Sequence, residues 1–132
     1  MAYSIASLDE LGEGYGFRKI RQPLGVTAFG VNALVFPPGY EGPAHYHDHQ
    51  DELYFVHRGT ATFLIGGERH EVGEGGLVHV ESTTPRMVSN SGSDDLILFI
   101  VGGKDGYVAR DGQLVNPEDL AKREALSRGE LQ

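Results

Sequence analysis

Glycine and proline divide this chain into short β-rich segments, and this punctuation limits the folds that it can adopt. The 132 residues include 19 glycines and 6 prolines, spread along the chain. Hydrophobic, β-forming stretches lie between these breaks, and helical periodicity is almost absent. We therefore expect an all-β barrel or sandwich. The predicted strands are 17–20, 26–36, 45–47, 52–56, 60–65, 68–72, 77–80, 86–89 and 96–101.

One short helix is predicted near the end of the chain. Asn116 can cap its start, Pro117 suits the first helical position, and Gly129 can end it. Its apolar stripe is thin, with Ala125 and Leu126 on one face, so we expect the helix to dock on the barrel or on a partner subunit.

The length allows one domain with a hydrophobic core and is too short for two. We expect an N-terminal arm and first strand over 1–24 and a barrel core over 25–103. The remaining residues, 104–132, are expected to form a strand or loop and the short helix.

Charge and composition exclude several classes of partner. The net charge of −8 argues against nucleic acid and against anionic membranes. The chain has no cysteine, so neither disulfides nor thiol catalysis are available. No apolar run is long enough to span a bilayer, and the N-terminus lacks the features of a secretory signal. A cytoplasmic protein is the default expectation.

Two histidines and a glutamate stand at a spacing that suits a metal site. His45 and His47 are two residues apart, and Glu52 follows five residues later, with Gly39 and Gly59 on either side. Side chains at i and i+2 of a strand point to the same face, and the next strand can bring the glutamate to the same point. Two imidazoles and a carboxylate are a donor set for borderline divalent metals, with positions left open for chemistry.

This pattern, with both glycines, resembles the first signature of the cupins at every fixed position. A second cupin signature is expected downstream, and Gly75 and Asn90 stand at its ends with the correct spacing. Inside it, Glu81 replaces the usual proline, Thr83 the glycine, and Arg86 the histidine. The chain therefore resembles a single-barrel cupin with an arginine in place of the second-motif histidine.

The resemblance covers roughly residues 25–103 and implies a cupin double-stranded β-helix, or jelly-roll barrel. It also implies a pocket for a divalent transition metal such as Fe, Mn, Ni or Zn, a small-molecule ligand, and a homodimer. The family usually binds its metal with three histidines and one glutamate, and here the third histidine is missing.

Two further histidines are ambiguous. His49 keeps the parity of His45 and His47, so a longer strand would direct it inward as a substitute metal ligand. If the chain already turns there, His49 lies at the rim. We expect His79, which lies between apolar neighbours, to pack in the core.

Tyr54 shares the parity of Glu52 and is the candidate catalytic residue. Its phenol could line the cavity and orient a substrate or donate a proton. The alternative is that Tyr54 only packs in the core.

Arg86 cannot replace the histidine as a ligand, because a guanidinium stays protonated and has no lone pair for a metal. Three alternatives remain. Arg86 could bind a substrate anion beside a metal held by His45, His47 and Glu52. It could pair with Glu52 in a metal-free pocket. It could also point outward if the register is shifted by one residue.

Two functional hypotheses follow. The first is a metal-dependent cupin that acts on a small anionic molecule, with dioxygenase-like or isomerase/cyclase-like chemistry. The second is a metal-free cupin that binds or senses a small molecule, with Arg86 paired to Glu52.

Overall fold

The computed structural model describes residues 2–131, and its ten strands form two antiparallel β-sheets. The strands are β1 (Gly16–Lys19), β2 (Gly30–Phe36), β3 (His45–His47), β4 (Asp51–Arg58), β5 (Ala61–Ile65), β6 (Glu68–Val72), β7 (Leu77–Val80), β8 (Arg86–Asn90), β9 (Leu96–Gly103) and β10 (Gly112–Leu114). The α-helices are α1 (Arg21–Leu24) and α2 (Leu120–Arg128), and short 3-10 turns span Leu8–Leu11 and Pro117–Asp119.

Each sheet contains five strands. The first has the order β1-β2-β9-β4-β7, and the second has the order β10-β3-β8-β5-β6. Their apolar faces pack together around a core built from Leu34, Phe36, Tyr54, Val56, Ala61, Phe63, Val80, Val88, Leu96, Leu98 and Leu126. The predicted all-β barrel with a short C-terminal helix is confirmed.

Strand β4 shows why the sequence folds in this way. Glu52, Tyr54 and Val56 are buried, whereas the alternate residues Leu53 and Phe55 are exposed. This strand lies between β9 and β7 in the first sheet, and the face with Tyr54 and Val56 packs in the core between the two sheets. The predicted parity of Glu52 and Tyr54 is therefore confirmed.

The C-terminal helix follows its predicted limits closely. The 3-10 turn Pro117–Asp119 leads into α2, and Gly129 ends the helix with a left-handed φ of 69°. Asn116 makes no capping hydrogen bond with its side chain. Leu126 is buried in the core, so α2 docks on its own barrel. The single-turn helix α1 was not predicted.

Two sequence-based expectations were wrong. Strand β2 begins at Gly30, four residues later than predicted. His79 is exposed, because Val78 and Val80 face the core and strand alternation directs His79 to the outer face of the sheet. Within residues 2–131, no helix combines the length and the apolar character needed to cross a membrane.

Candidate metal centre

Strands β3 and β4 bring His45, His47 and Glu52 together at one point. Nε2 of His47 lies 3.2 Å from Oε1 of Glu52, and Nε2 of His45 lies 3.9 Å from the same oxygen. One donor atom from each of the three residues lies within 4.8 Å of the others. The convergence expected from the spacing of the two histidines and the glutamate is therefore present in the structure.

This geometry fits a transition metal. Two donor atoms that each lie about 2.1 Å from one ion are roughly 3.0–3.4 Å apart at octahedral or tetrahedral angles. The separation between His47 and Glu52 is in this range, and that between His45 and Glu52 is slightly larger. Imidazole and carboxylate donors suit Fe, Mn, Ni, Co, Cu or Zn and do not distinguish between them.

The remaining ring nitrogens of both histidines are held by acceptors. Nδ1 of His45 lies 3.2 Å from the carbonyl oxygen of Pro43, and Nδ1 of His47 lies 2.8 Å from Oδ1 of Asp111. Neither oxygen can donate a hydrogen bond, so each Nδ1 carries the proton. Nε2 of each ring faces Glu52, where it donates to the carboxylate when protonated and can bind a metal through its lone pair when it is not.

Asp111 is a site residue that the sequence did not reveal. Its carboxylate accepts hydrogen bonds from the backbone N–H of His49 (2.7 Å) and of Gln50 (3.0 Å), as well as from the Gln50 side chain (2.7 Å). Burial raises the pKa of Asp111, but the hydrogen bonds from Gln50 and His47 outweigh burial and hold it well below its ordinary value. Asp111 thus stays ionised and fixes the loop that follows His47.

Glu52 is 8% exposed and accepts a hydrogen bond of 2.7 Å from the phenol of Tyr54. Burial raises the pKa of Glu52, but its hydrogen bonds with His45, His47 and Tyr54 outweigh burial and hold the pKa well below its ordinary value. Burial, together with the charge of Glu52, raises the pKa of Tyr54 well above its ordinary value. The phenol therefore keeps its proton, and that proton is directed at the carboxylate.

Arg86 lies on β8, directly opposite His45 in the strand pairing, and is 1% exposed. The alternative in which it points outward is therefore excluded. Its guanidinium donates to the carbonyl oxygens of Ser82 (3.1 Å), Val80 (3.4 Å) and Glu81 (3.4 Å). Nη2 lies 3.7 Å from Oε1 of Glu52. Arg86 thus holds the turn before β8 in place and lies within ion-pair distance of Glu52.

His49 is not brought to this group. It is exposed in the turn between β3 and β4, and only its backbone N–H is engaged, by Asp111. Tyr54, in contrast, lies in the wall of the adjoining cavity together with His45, His47 and Glu52.

That cavity has a volume of about 410 Å³ and extends from the three candidate ligands to α2. Leu34, Phe36 and Ile100 form apolar parts of its wall. Arg86 does not line it. A cavity of this size suits a small organic molecule.

Comparison with known proteins places the chain in a family. A family model described as the cupin domain matches residues 33–102, more than half of the chain. No curated protein matches the sequence.

The fold is shared with many solved structures. A double-stranded β-helix protein from Klebsiella pneumoniae is 20% identical, with a TM-score of 0.70, and the match covers 85% of this chain and 96% of that one. The polyketide cyclase RemF from Streptomyces resistomycificus is 16% identical, with a TM-score of 0.71 and coverage of 94% and 96%. A sugar phosphate isomerase from Silicibacter pomeroyi is 21% identical, with a TM-score of 0.63 and coverage of 77% and 68%.

Proposed function

The chain belongs to the cupin family, and on that premise we propose that it binds a divalent transition metal and acts on a small anionic molecule. His45, His47 and Glu52 hold the metal, and the adjoining cavity of about 410 Å³ holds the molecule. When bound, such a metal polarises a coordinated oxygen or binds dioxygen. The proposal thus covers isomerase/cyclase-like and dioxygenase-like chemistry.

One observation carries the proposal: both candidate histidine ligands have Nδ1 engaged by an acceptor. A solvated histidine pair has no need of this arrangement, whereas metal-binding histidines commonly have it. The carbonyl of Pro43 and the carboxylate of Asp111 fix the tautomer and orientation of the two rings.

Residues of the chain prepare the rest of the site. Tyr54 donates to Glu52 and positions its carboxylate, and we propose this positioning role for it rather than proton transfer. Leu34, Phe36 and Ile100 give the cavity apolar walls. A bound molecule would therefore meet an oriented donor set beside apolar walls.

A metal-free binding protein is the second candidate, and one specific contact favours it. The guanidinium of Arg86 lies 3.7 Å from Glu52, and a cation so close repels a divalent ion. In this case Arg86 compensates the charge of the buried carboxylate, and the cavity binds its ligand without a metal.

The predicted grip of Arg86 on a substrate anion requires its guanidinium to reach the cavity. The guanidinium is instead directed at three carbonyl groups and at Glu52. Under both candidates we therefore assign Arg86 to the support of Glu52 and of the preceding turn.

We also propose that the chain forms a homodimer through the outer face of the first sheet. Leu53, Phe55, Leu77 and Val101 are exposed there, and the strand register places them side by side. Light scattering of wild type and of Phe55→Glu tests this expectation, and a monomeric wild type would overturn it.

The test of the metal site is titration of metal-stripped protein with Mn²⁺, Ni²⁺ and Zn²⁺ in a calorimeter. We expect about one equivalent to bind to wild type and none to His47→Ala. His57→Ala is the control, because His57 is exposed on the outer face of β4. Absence of binding by wild type would favour the metal-free candidate. If wild type binds metal, oxygen uptake by the loaded protein separates the dioxygenase-like from the isomerase/cyclase-like class.

A further inference from the structure

Basic side chains gather on the cavity wall of this acidic protein. The net charge is −8, yet the cavity is lined by four cations, Lys19, Arg21, Arg110 and Arg123. The two carboxylates on the same wall, Glu52 and Asp111, are already engaged by hydrogen bonds. Among residues 2–131, no carboxylate lies within 4.0 Å of any of the four cations. Cations thus outnumber carboxylates on this wall, and this excess favours the binding of an anion there.

Two of these arginines are linked to the same helix, α2. Nη2 of Arg110 donates to the hydroxyl of Ser127 on α2, at 2.9 Å. Ser127 and Arg123 are four residues apart on this helix, so they are neighbours on the same face. The guanidinium of Arg110 is therefore held one helical turn from Arg123. Two like charges placed together cost free energy unless an anion lies between them.

Arg123 is also incompletely satisfied. Its Nε is buried and has no hydrogen-bond partner among residues 2–131, and Nη1 reaches the carbonyl of Gly112 only at 3.5 Å. A partly buried guanidinium with free donors loses hydration without full compensation. A carboxylate or phosphate can accept two parallel bonds from this planar group.

The position of Arg123 relates it to the candidate ligands. Gly112, which it contacts, pairs directly with His47 across β10 and β3. A molecule that places its anionic group on Arg123 can therefore direct its other end toward His47 and Glu52.

We propose that Arg110 and Arg123 form an oxyanion subsite at the α2 end of the cavity, specific for a carboxylate or phosphate group of the ligand. This inference deepens the proposed function, since it places the anionic end of the proposed ligand. It transfers to Arg110 and Arg123 the anion binding that the sequence had suggested for Arg86.

Calorimetric titration with inorganic phosphate and with malonate tests the subsite, in metal-stripped and in metal-loaded protein. We expect wild type to bind at least one of the two anions in both forms, and the stronger anion indicates the ligand class. Arg123→Gln and Arg110→Gln should each weaken that binding by about tenfold or more, as expected for loss of charge-assisted hydrogen bonds. Lys122→Gln is the matched control, because Lys122 is exposed on the same helix and does not line the cavity.

The outcomes separate this proposal from the proposed function. Wild-type affinity in both arginine variants, or no anion binding by wild type, would overturn the subsite. Anion binding without metal binding would support the subsite and overturn the metal centre. Metal binding without anion binding would support the metal centre and overturn the subsite. Arg110 is exposed, so Arg110→Gln should fold even if Arg123→Gln does not, and circular dichroism checks both.

Discussion

The interaction between Asp111 and His47 leads to a quantitative prediction. The Asp111 carboxylate accepts four hydrogen bonds, and Oδ1 receives those from Nδ1 of His47 and from the side chain of Gln50. Asp111→Asn keeps the shape but replaces one oxygen by an NH₂ group. If the remaining oxygen accepts the two backbone hydrogen bonds, the new amide nitrogen faces Nδ1 of His47 and the side-chain amide of Gln50, which are both donors. His47 then loses the acceptor that fixes its tautomer.

We expect this change to weaken metal binding about 10–100-fold, the usual effect of removing the outer partner of a metal-binding histidine. The corresponding loss of binding free energy is about 1.4–2.7 kcal/mol. The affinity for Zn²⁺, measured by competition with a chelator, provides the assay.

The control variant is Asp48→Asn. It removes the same charge next to His47, but the carboxylate of Asp48 is exposed and contacts only Gln113. We expect its affinity for Zn²⁺ to stay within about twofold of wild type, since an exposed charge is well screened. Equal affinities of folded Asp111→Asn and Asp48→Asn would refute the orienting role of Asp111.

Three further substitutions have defined expectations. Arg86→Gln should lower the free energy of unfolding by about 3–5 kcal/mol, because it leaves buried groups without their partner, yet bound metal should persist. Urea denaturation and elemental analysis check this, and loss of metal would contradict it. Tyr54→Phe should cost about 1.5–3 kcal/mol in urea denaturation, since it removes a bond to a buried carboxylate, and unchanged stability would argue against that bond. Gly59→Ala should cost about 1–3 kcal/mol in thermal melts, because φ is +85° and the new Cβ would lie 2.8 Å from a carbonyl oxygen. Gly66→Ala, in open space, is its control and should cost less.

Much of the core site could be predicted because it depends on local spacing. His45 and His47 share a face through strand alternation, and Glu52 opens the next strand at a short distance along the chain. The spacing of the second signature also placed Arg86 inward, which the structure confirms. These features need only strand periodicity and a tight turn.

Features that depend on distant contacts could not be predicted. Asp111 lies 64 residues from His47 and precedes β10, a strand of three residues with no periodic signal. The exposure of His79 depends on which face of β7 packs against the core, and four residues with apolar side chains on both faces do not reveal this. Arg110 and Arg123 become neighbours only because α2 docks on the barrel through Leu126.

The central claim, a metal held by three residues, is tested most directly by elemental analysis of untagged protein purified without added metal. The account predicts near-stoichiometric transition metal in wild type and in His49→Ala, because His49 lies outside the group. It predicts loss of that metal in the His45→Ala/His47→Ala double variant. Absence of metal from wild type even after reconstitution, or equal metal in the double variant, would contradict the account.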